Sequence, residues 1–546
     1  MRAFATLMEA LVFTPQRNGK LRLLIDHFRT EPDPDRGWAL AALTGGLSFP
    51  TAKAGLVRGL VEQRVDPMLF GWSYDYVGDL AETVSLIWPP QPGPNRPPEL
   101  GEVVDGLMAA SRSTAPALVE RWLDALGPTE RFALLKLITG GFRVGVSARL
   151  AKLALAQGFD HDIAEIEEIW HGLSPPFVDL FAWLSGDADR PAIDDHATFR
   201  PLMLATPLDV ADVDRIDPAI YRAEWKWDGI RVQLAASHGE RRIYSRTGDD
   251  ISSVFPDIAE AMAFEAVLDG ELLVARPTPL QNSDQHDQAA PDTAHTVEVA
   301  PFNDLQQRLN RKTVSAKMLR DYPAWVRLYD LLIDRGQDVR GLPFDDRRRR
   351  LVAWAAETRP TRMDVSPLVP FDHVDDLKRL RDGARAAAIE GLMLKRGDSA
   401  YVAGRPKGPW FKWKRDPLTL DTVLLYAQRG HGKRSSYYSD FTFGAWTGDH
   451  AGEGELVPVG KAYFGFTDQE LAQLDKWIRA NTTDRFGPVR AVTPALVFEV
   501  AFDSVHRSSR HKSGVAMRFP RIHRIRWDKP AAEADRLAAL EAMIVE

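Results

Sequence analysis

The sequence predicts a multidomain protein with an all-α first part, a mixed α/β middle and an all-β barrel at the end. Three observations carry this prediction. Apolar residues recur at helical spacing up to about residue 190, short β-like runs alternate with helical segments from about Tyr221, and after Pro417 nearly every run is β. At 546 residues the chain exceeds one hydrophobic core, and a prior of roughly 150 residues per domain gives three or four domains.

In the first part, Leu21, Leu23, Leu24 and Phe28 mark one helix face, and Leu134, Leu135, Leu137 and Ile138 mark another. Met1–Phe13 is apolar but lacks a basic start and a small-residue cleavage site, so it reads as the first helix of the mature fold rather than a signal peptide. The proline-rich stretch Trp88–Pro98 reads as a surface loop, and the polar stretch Asp187–Asp195 as a linker. In the middle part the expected strands are Val232–Ala236, Ile243–Ser245, Ala266–Val274, Val326–Ile333 and Gly391–Lys395. Pro277–Ala300, rich in Gln, Asp, Pro, Thr and His, has little to bury and reads as a disordered insertion. The expected barrel strands are Thr422–Tyr426, Tyr438–Trp446, Leu456–Phe466 and Leu496–Phe502, about the number an oligonucleotide-binding (OB) fold requires.

Composition narrows the function. There is no cysteine, which excludes disulfides and cysteine-ligated zinc, so a catalytic metal must take oxygen or imidazole ligands. No apolar run is long enough to span a membrane. The net charge of −7 argues weakly against a polyanion partner, but the charge is unevenly placed. Arg507, Arg510, Lys512, Arg518, Arg521, Arg524, Arg526 and Lys529 are opposed by only Asp503 and Asp528, so the C-terminal part can face a polyanion.

The chemistry centres on Glu224-Trp225-Lys226-Trp227-Asp228-Gly229-Ile230-Arg231. Alone, a Lys-x-Asp-Gly motif is short enough to arise by chance. Here an ordered series follows it: Ser245-Arg246-Thr247-Gly248, Leu268-Asp269-Gly270-Glu271-Leu272, Tyr329-Asp330-Leu331, Glu390-Gly391-Leu392-Met393-Leu394-Lys395 and Trp410-Phe411-Lys412-Trp413-Lys414, then Arg518-Phe519-Pro520-Arg521. In this order and spacing the set resembles the covalent nucleotidyltransferase superfamily, and specifically the ATP-dependent DNA ligases of the bacterial, stand-alone, three-domain type.

The resemblance implies a fold and residue roles. The fold is a helical DNA-binding domain over 1–195, an α/β (α+β) nucleotidyltransferase core over 196–417 and an OB barrel over 418–546. Lys226 accepts AMP from ATP. Glu224, Arg231, Arg246, Glu271, Tyr329, Met393, Lys412, Lys414 and Arg518 bind the nucleotide. Arg231 and Arg246 would meet its ribose and phosphate side, Tyr329 would stack on adenine, and Met393 would cover the other face. Glu390 is the better ligand for Mg2+ (or Mn2+), with Glu271 either a second ligand or a ribose contact. Arg518 and Arg521 would orient the leaving pyrophosphate, with Arg521 also facing DNA.

Elementary chemistry agrees with these roles. Lysine is a nucleophile only as the neutral amine, and neighbouring cations lower its pKa. Lys412 and Lys414 alternate with aromatics, so a strand turns both to one face, where they can contact an α-phosphate and depress Lys226.

A second signature runs Leu137-Ile138-Thr139-Gly140-Gly141-Phe142-Arg143-Val144-Gly145-Val146-Ser147. One helix ends at the glycines and Ser147 caps the next. Backbone N–H groups there can receive a phosphate, and a plain packing corner fits the local sequence equally well. The segment resembles the helical domain of cellular and bacterial ATP-dependent DNA ligases, which implies DNA contacts from Thr139, Gly140, Gly141, Arg143, Gly145 and Ser147. Arg429–Ser435 fails as a P-loop, because Arg434 stands where Ser or Thr should follow the lysine, and reads as a basic loop of the barrel.

The expected activity is sealing of nicks in duplex DNA through lysyl-AMP, in repair, replication or recombination. The expected setting is a monomer in the bacterial cytoplasm, associated with the nucleoid. NAD-dependent relatives usually carry a four-cysteine zinc site, so the lack of cysteine favours ATP. An RNA ligase or GTP-using capping enzyme shares the lysine motif, and a non-catalytic DNA-binding protein on the same scaffold is the other alternative.

Overall fold

The computed structural model describes residues 1–91, 93, 96–140, 142, 144–192, 197–277, 297–309, 311, 313–383, 389–429, 438–448, 454–463, 465–509 and 511–544. The chain forms two compact units. One comprises Met1–Ile166, Leu173–Pro191 and Pro417–Glu546, and the other Glu167–Gly172 and Ala192–Asp416. Among the described residues, no helix is long and apolar enough to cross a membrane.

Up to Leu184 the regular structure is all helical. The helix Arg2–Phe13 buries Phe4, Leu7, Met8 and Leu11, and Arg17–Thr30 buries Leu21, Leu24 and Phe28, leaving Leu23 half-buried. Pro128–Thr139 is buried nearly all round, as a central helix must be. Its two long cations are therefore spoken for: Arg131 Nε donates to Leu123 O (2.7 Å), and Lys136 Nζ pairs with Asp79 (2.5 Å). The stretch expected as a surface loop starts with an anchor instead. Trp88 is 2% exposed, its indole N–H donates to Asp124 at 2.9 Å, and Arg64 lies over its ring.

The Ala192–Asp416 unit is built on two sheets. In one, Trp410–Lys414 and Tyr221–Trp227 flank Ile389–Arg396, all antiparallel, with the short strands Thr206–Pro207 and Leu368–Val369 at its edges. In the other, Glu240–Ser245, Ile230–Ser237, Ala266–Pro277 and Ala324–Asp334 follow in order. Leu234, Leu268, Leu272, Val326 and Leu328 fill the core of the second sheet, packed on Leu351 and Trp354 of the helix Phe344–Thr358. Both ends of the expected insertion are ordered: Val297–Val299 pairs with Ala275–Pro277, and Ala300 N donates to Val274 O. The rest of it, 278–296, lies outside the described residues, as does the loop segment 430–437.

The C-terminal part is β-rich. Leu418–Arg429 pairs with Tyr438–Trp446 on one side and with Val497–Phe502 and Val489–Val492 on the other; Tyr438–Trp446 continues to Leu456–Ala462, and Val497–Phe502 to Arg521–Arg526. Among the described residues two α-helices accompany the strands, the short Leu537–Glu541 and a longer one before Thr482–Phe486. Asp468–Ala480 is a helix, started by a capping box in which Thr467 and Glu470 satisfy each other's backbone N–H. Its Leu474 and Ile478 seal the barrel core beside Phe441 and Phe498.

Candidate active site

Strand register assembles the cleft. Across the first sheet, Gly391 lies opposite both Lys226 and Lys414, Met393 opposite Glu224 and Lys412, and Lys395 opposite Arg222 and Trp410. Side chains two residues apart share a face. The cleft wall is therefore layered, with Lys226 and Lys414 at one end, Glu224, Met393 and Lys412 in the middle, and Lys395 and Trp410 at the other. Trp413 and Leu392, on the opposite face, pack into a separate core with Leu377. The second sheet supplies Arg231, Glu271 and Tyr329, and the turn after Glu240–Ser245 supplies Arg246 and Thr247. The cleft measures about 470 Å3.

Glu390 reaches the cleft through a bulge. The register shifts between Ile389 and Gly391, and Gly391 adopts φ 146°, where a Cβ would lie 2.2 Å from Trp413 O. The extra residue, Glu390, brings Oε2 to 2.6 Å from Lys226 Nζ and 3.1 Å from Lys414 Nζ. Burial disfavours the Glu390 carboxylate, but Lys226 and Lys414 outweigh it and hold the group down to about 2. Glu271 has the opposite balance, as burial together with Glu390 pushes it up to about 7 against the pull of Lys226 and Arg231.

Lys226 departs from the expected electrostatics. Burial lowers its pKa, but Glu390 and Glu271 overcome burial and hold it above the usual lysine range. The basic neighbours act instead on Lys412, which burial, Arg405, Lys226 and Lys414 push down. The sequence shows the cations of the motif strand and not that Glu390 stands 2.6 Å from Lys226, with Glu271 also acting on it.

Arg231 lines the cleft but is largely committed to the fold. Its guanidinium donates to Met203 O (2.7 Å), Asp269 Oδ2 (2.6 Å) and Tyr401 (3.0 Å), which leaves Nε without a partner. Asp269 is fully buried and also accepts from Tyr401 and Gln233. Tyr329 is kept neutral by burial, which pushes its hydroxyl well above the usual tyrosine range. Lys395, Trp410 and Thr247 also line the cleft, beyond the residues the motifs single out. For Lys395 and Trp410 the signal was available, because each stands two residues from a chosen neighbour, Met393 or Lys412, on the same strand face.

The remaining candidates lie in the other unit. Arg518 ends the strand Val515–Arg518 opposite Ser504, and Arg521 Nη1 lies 3.6 Å from Asp503. In the glycine segment, Thr139 Oγ1 donates back to Leu135 O, and Ser147 Oγ caps the next helix by accepting from Leu150 N (3.2 Å). Gly145 (φ 68°) makes room for the buried Lys20, whose Nζ donates to Val144 O and Leu11 O and would lie 2.7 Å from a Cβ there. Gly141 and Arg143 lie outside the described residues.

Two sheets that close on a cleft lined by Lys226, Lys395, Lys412 and Lys414 suit a ligand that carries phosphates. Residues 202–414 match the family model of the ATP dependent DNA ligase domain, and residues 434–529 match that of the ATP dependent DNA ligase C terminal region. Over 99% of its length the chain is 32% identical to the "Probable DNA ligase" of Koribacter versatilis (strain Ellin345), covering 96% of that relative. It is 30% identical to the "Probable DNA ligase" of Opitutus terrae over 98% of this chain, but spans only 61% of that longer protein. The solved structure "Pmar-Lig_PreS3" shares the fold with a TM-score of 0.56 at 15% identity, covering 96% of this chain and 99% of that one. The chain belongs to the ATP-dependent DNA ligases, so it seals nicked DNA with ATP and DNA as substrates.

Proposed function

We propose that Lys226 carries the adenylate. The observation supporting this most is the placement of Lys226 in one cleft with Glu390, Glu271, Lys412 and Lys414. The neutral amine of Lys226 attacks the α-phosphorus of ATP; a P–N bond forms, the bond to the bridging oxygen breaks, and pyrophosphate leaves. An oxygen of the 5′-phosphate at the nick then takes the adenylate from Lys226. Finally the 3′-hydroxyl attacks that activated phosphate and AMP leaves. Lys412 and Lys414 offset phosphate charge in these steps, and most of the catalysis is positioning. Tyr329 and Met393 sandwich the base, Glu224, Arg231 and Arg246 complete the nucleotide site, and Arg518 and Arg521 meet the pyrophosphate.

Glu271 and Glu390 suit a divalent cation, Mg2+ or Mn2+. They are acids contributed by the two sheets to one cleft, and the Glu390 charge disfavours ionisation of Glu271. Among the described residues no three acids or histidines cluster as a protein-only site, which suits an ion that keeps waters and phosphate oxygens as ligands. Such an ion supplies charge neutralisation on the triphosphate.

The domain assignment 1–195, 196–417 and 418–546, DNA contacts from Thr139, Gly140, Gly141, Arg143, Gly145, Ser147 and Arg521, and action as a cytoplasmic, nucleoid-associated monomer on nicked duplex DNA belong to the same reading. Incubation with labelled ATP or GTP, followed by nicked DNA or nicked RNA, tests it. Label from ATP should join the protein and then be discharged by nicked DNA. Labelling by GTP, or discharge only by RNA, contradicts the reading.

A further inference from the structure

From the middle of the cleft wall to the end away from Lys226 runs a buried ion pair. Lys395 is 1% and Glu224 2% exposed, and Lys395 Nζ lies 2.6 Å from Glu224 Oε2. Arg348 donates to the other oxygen, Glu224 Oε1, at 3.3 Å and is itself held by Ser366 O. The Lys395 ammonium also lies 4.7 Å from the Tyr329 ring centroid and 4.6 Å from that of Trp410. For stability alone, apolar side chains of the same volume would often serve as well as a buried pair. What the pair provides is a carboxylate with both oxygens fixed, on a cleft wall, sharing a cation with an aromatic ring.

We infer that Lys395 is a positioning residue for nucleobase recognition, holding Glu224 as a fixed acceptor for the exocyclic amino group of adenine while the Tyr329 ring stacks on the base. The inference rests on the reading of this cleft as the ATP site. An ionised carboxylate can only accept hydrogen bonds. A 6-amino purine therefore suits it, whereas a 6-oxo purine sets acceptor against acceptor and is rejected. Without Lys395, Glu224 keeps one cation and loses its fixed orientation.

The test is nucleotidyl transfer to the protein from ATP and from ITP, which differ at that edge of the base. Lys395→Met should raise KM for ATP and lower the ATP-over-ITP preference by about tenfold, the worth of one charge-assisted hydrogen bond. Lys395→Arg should recover part of that loss. Because removing one partner of a buried pair strands the other, the double variant Lys395→Met/Glu224→Gln is the second arm. Its preference should equal that of Glu224→Gln alone, as expected for residues acting as one unit. If Glu224→Gln lowers the preference and Lys395→Met does not, or if their effects add, the role of Lys395 is overturned while the ATP-site reading stands. If Glu224→Gln leaves the preference unchanged, base recognition at this wall is itself wrong.

Discussion

Lys226 and Glu390 stand 2.6 Å apart across a β-bulge, and Lys414 shares the same carboxylate oxygen at 3.1 Å. The arrangement concentrates one acid between two cations where the triphosphate is expected to bind. With Glu390 as a metal ligand, chelation of divalent cations should stop lysyl-AMP formation. Glu390→Ala should raise the Mg2+ concentration for half-maximal charging by at least about tenfold. An unchanged metal titration in that variant would remove Glu390 from the metal site.

Arg518 should matter more for charging than for sealing. Pyrophosphate leaves only in the first step, so groups that neutralise it are needed only then. Arg518→Ala, given a pre-adenylated nicked duplex, should seal it nearly as well as the parent. Given ATP and an unmodified nick, it should charge at least about tenfold more slowly. Equal losses in both assays would make these arginines DNA contacts.

The strand pairing of Val297–Val299 with Ala275–Pro277 narrows what can be removed between the two. Replacing 278–296 by a short Gly/Ser linker should keep nick sealing within a few-fold, because the ladder that closes the loop remains. Removing Val297–Ala300 as well should cost stability, visible as a lower thermal midpoint. Severe loss of sealing after the smaller deletion, with the fold intact, would mean the segment contacts DNA.

Acid sensitivity should arise in part from the helical region. Burial lowers His27 from 6.5 to about 4 against the opposing pull of Asp35. The unfolded chain therefore binds the proton first as pH falls. Stability from neutral His27 is complete above 6.5 and is lost progressively toward about 4, up to roughly 3 kcal/mol. His27→Leu should flatten the fall in thermal midpoint between pH 6.5 and about 5, above the main carboxylate range. A parallel fall in both proteins would place the sensitivity elsewhere.

The parts legible in the sequence were those set by periodicity. The helix Arg17–Thr30, four strands of the second sheet and the strand around Gly391–Lys395 follow from spacing, and so does the shared face of Lys412 and Lys414, whereas the strand Tyr221–Trp227 that carries Lys226 is not among the expected ones. The Thr467–Glu470 capping box was written in the sequence too, but the surrounding β runs masked it. Other features depend on pairing between distant segments. The bulge that turns out Glu390 exists only against Tyr221–Trp227, and the commitment of Arg231 to Asp269 depends on two strands meeting. The raised pKa of Lys226 is not legible in the motif for the same reason, since the acids that raise it most, Glu390 and Glu271, are remote in sequence.

The central claim is that Lys226 is the covalent carrier of AMP, and intact mass followed by peptide mapping tests it most directly. After mixing with ATP and Mg2+, the protein should gain one adenylate, located on the peptide containing Lys226 and released by nicked DNA. Lys226→Arg should fold and gain nothing, because a guanidinium does not deprotonate at working pH. Adenylate on another residue, or an adduct on Lys226→Arg, would contradict the account.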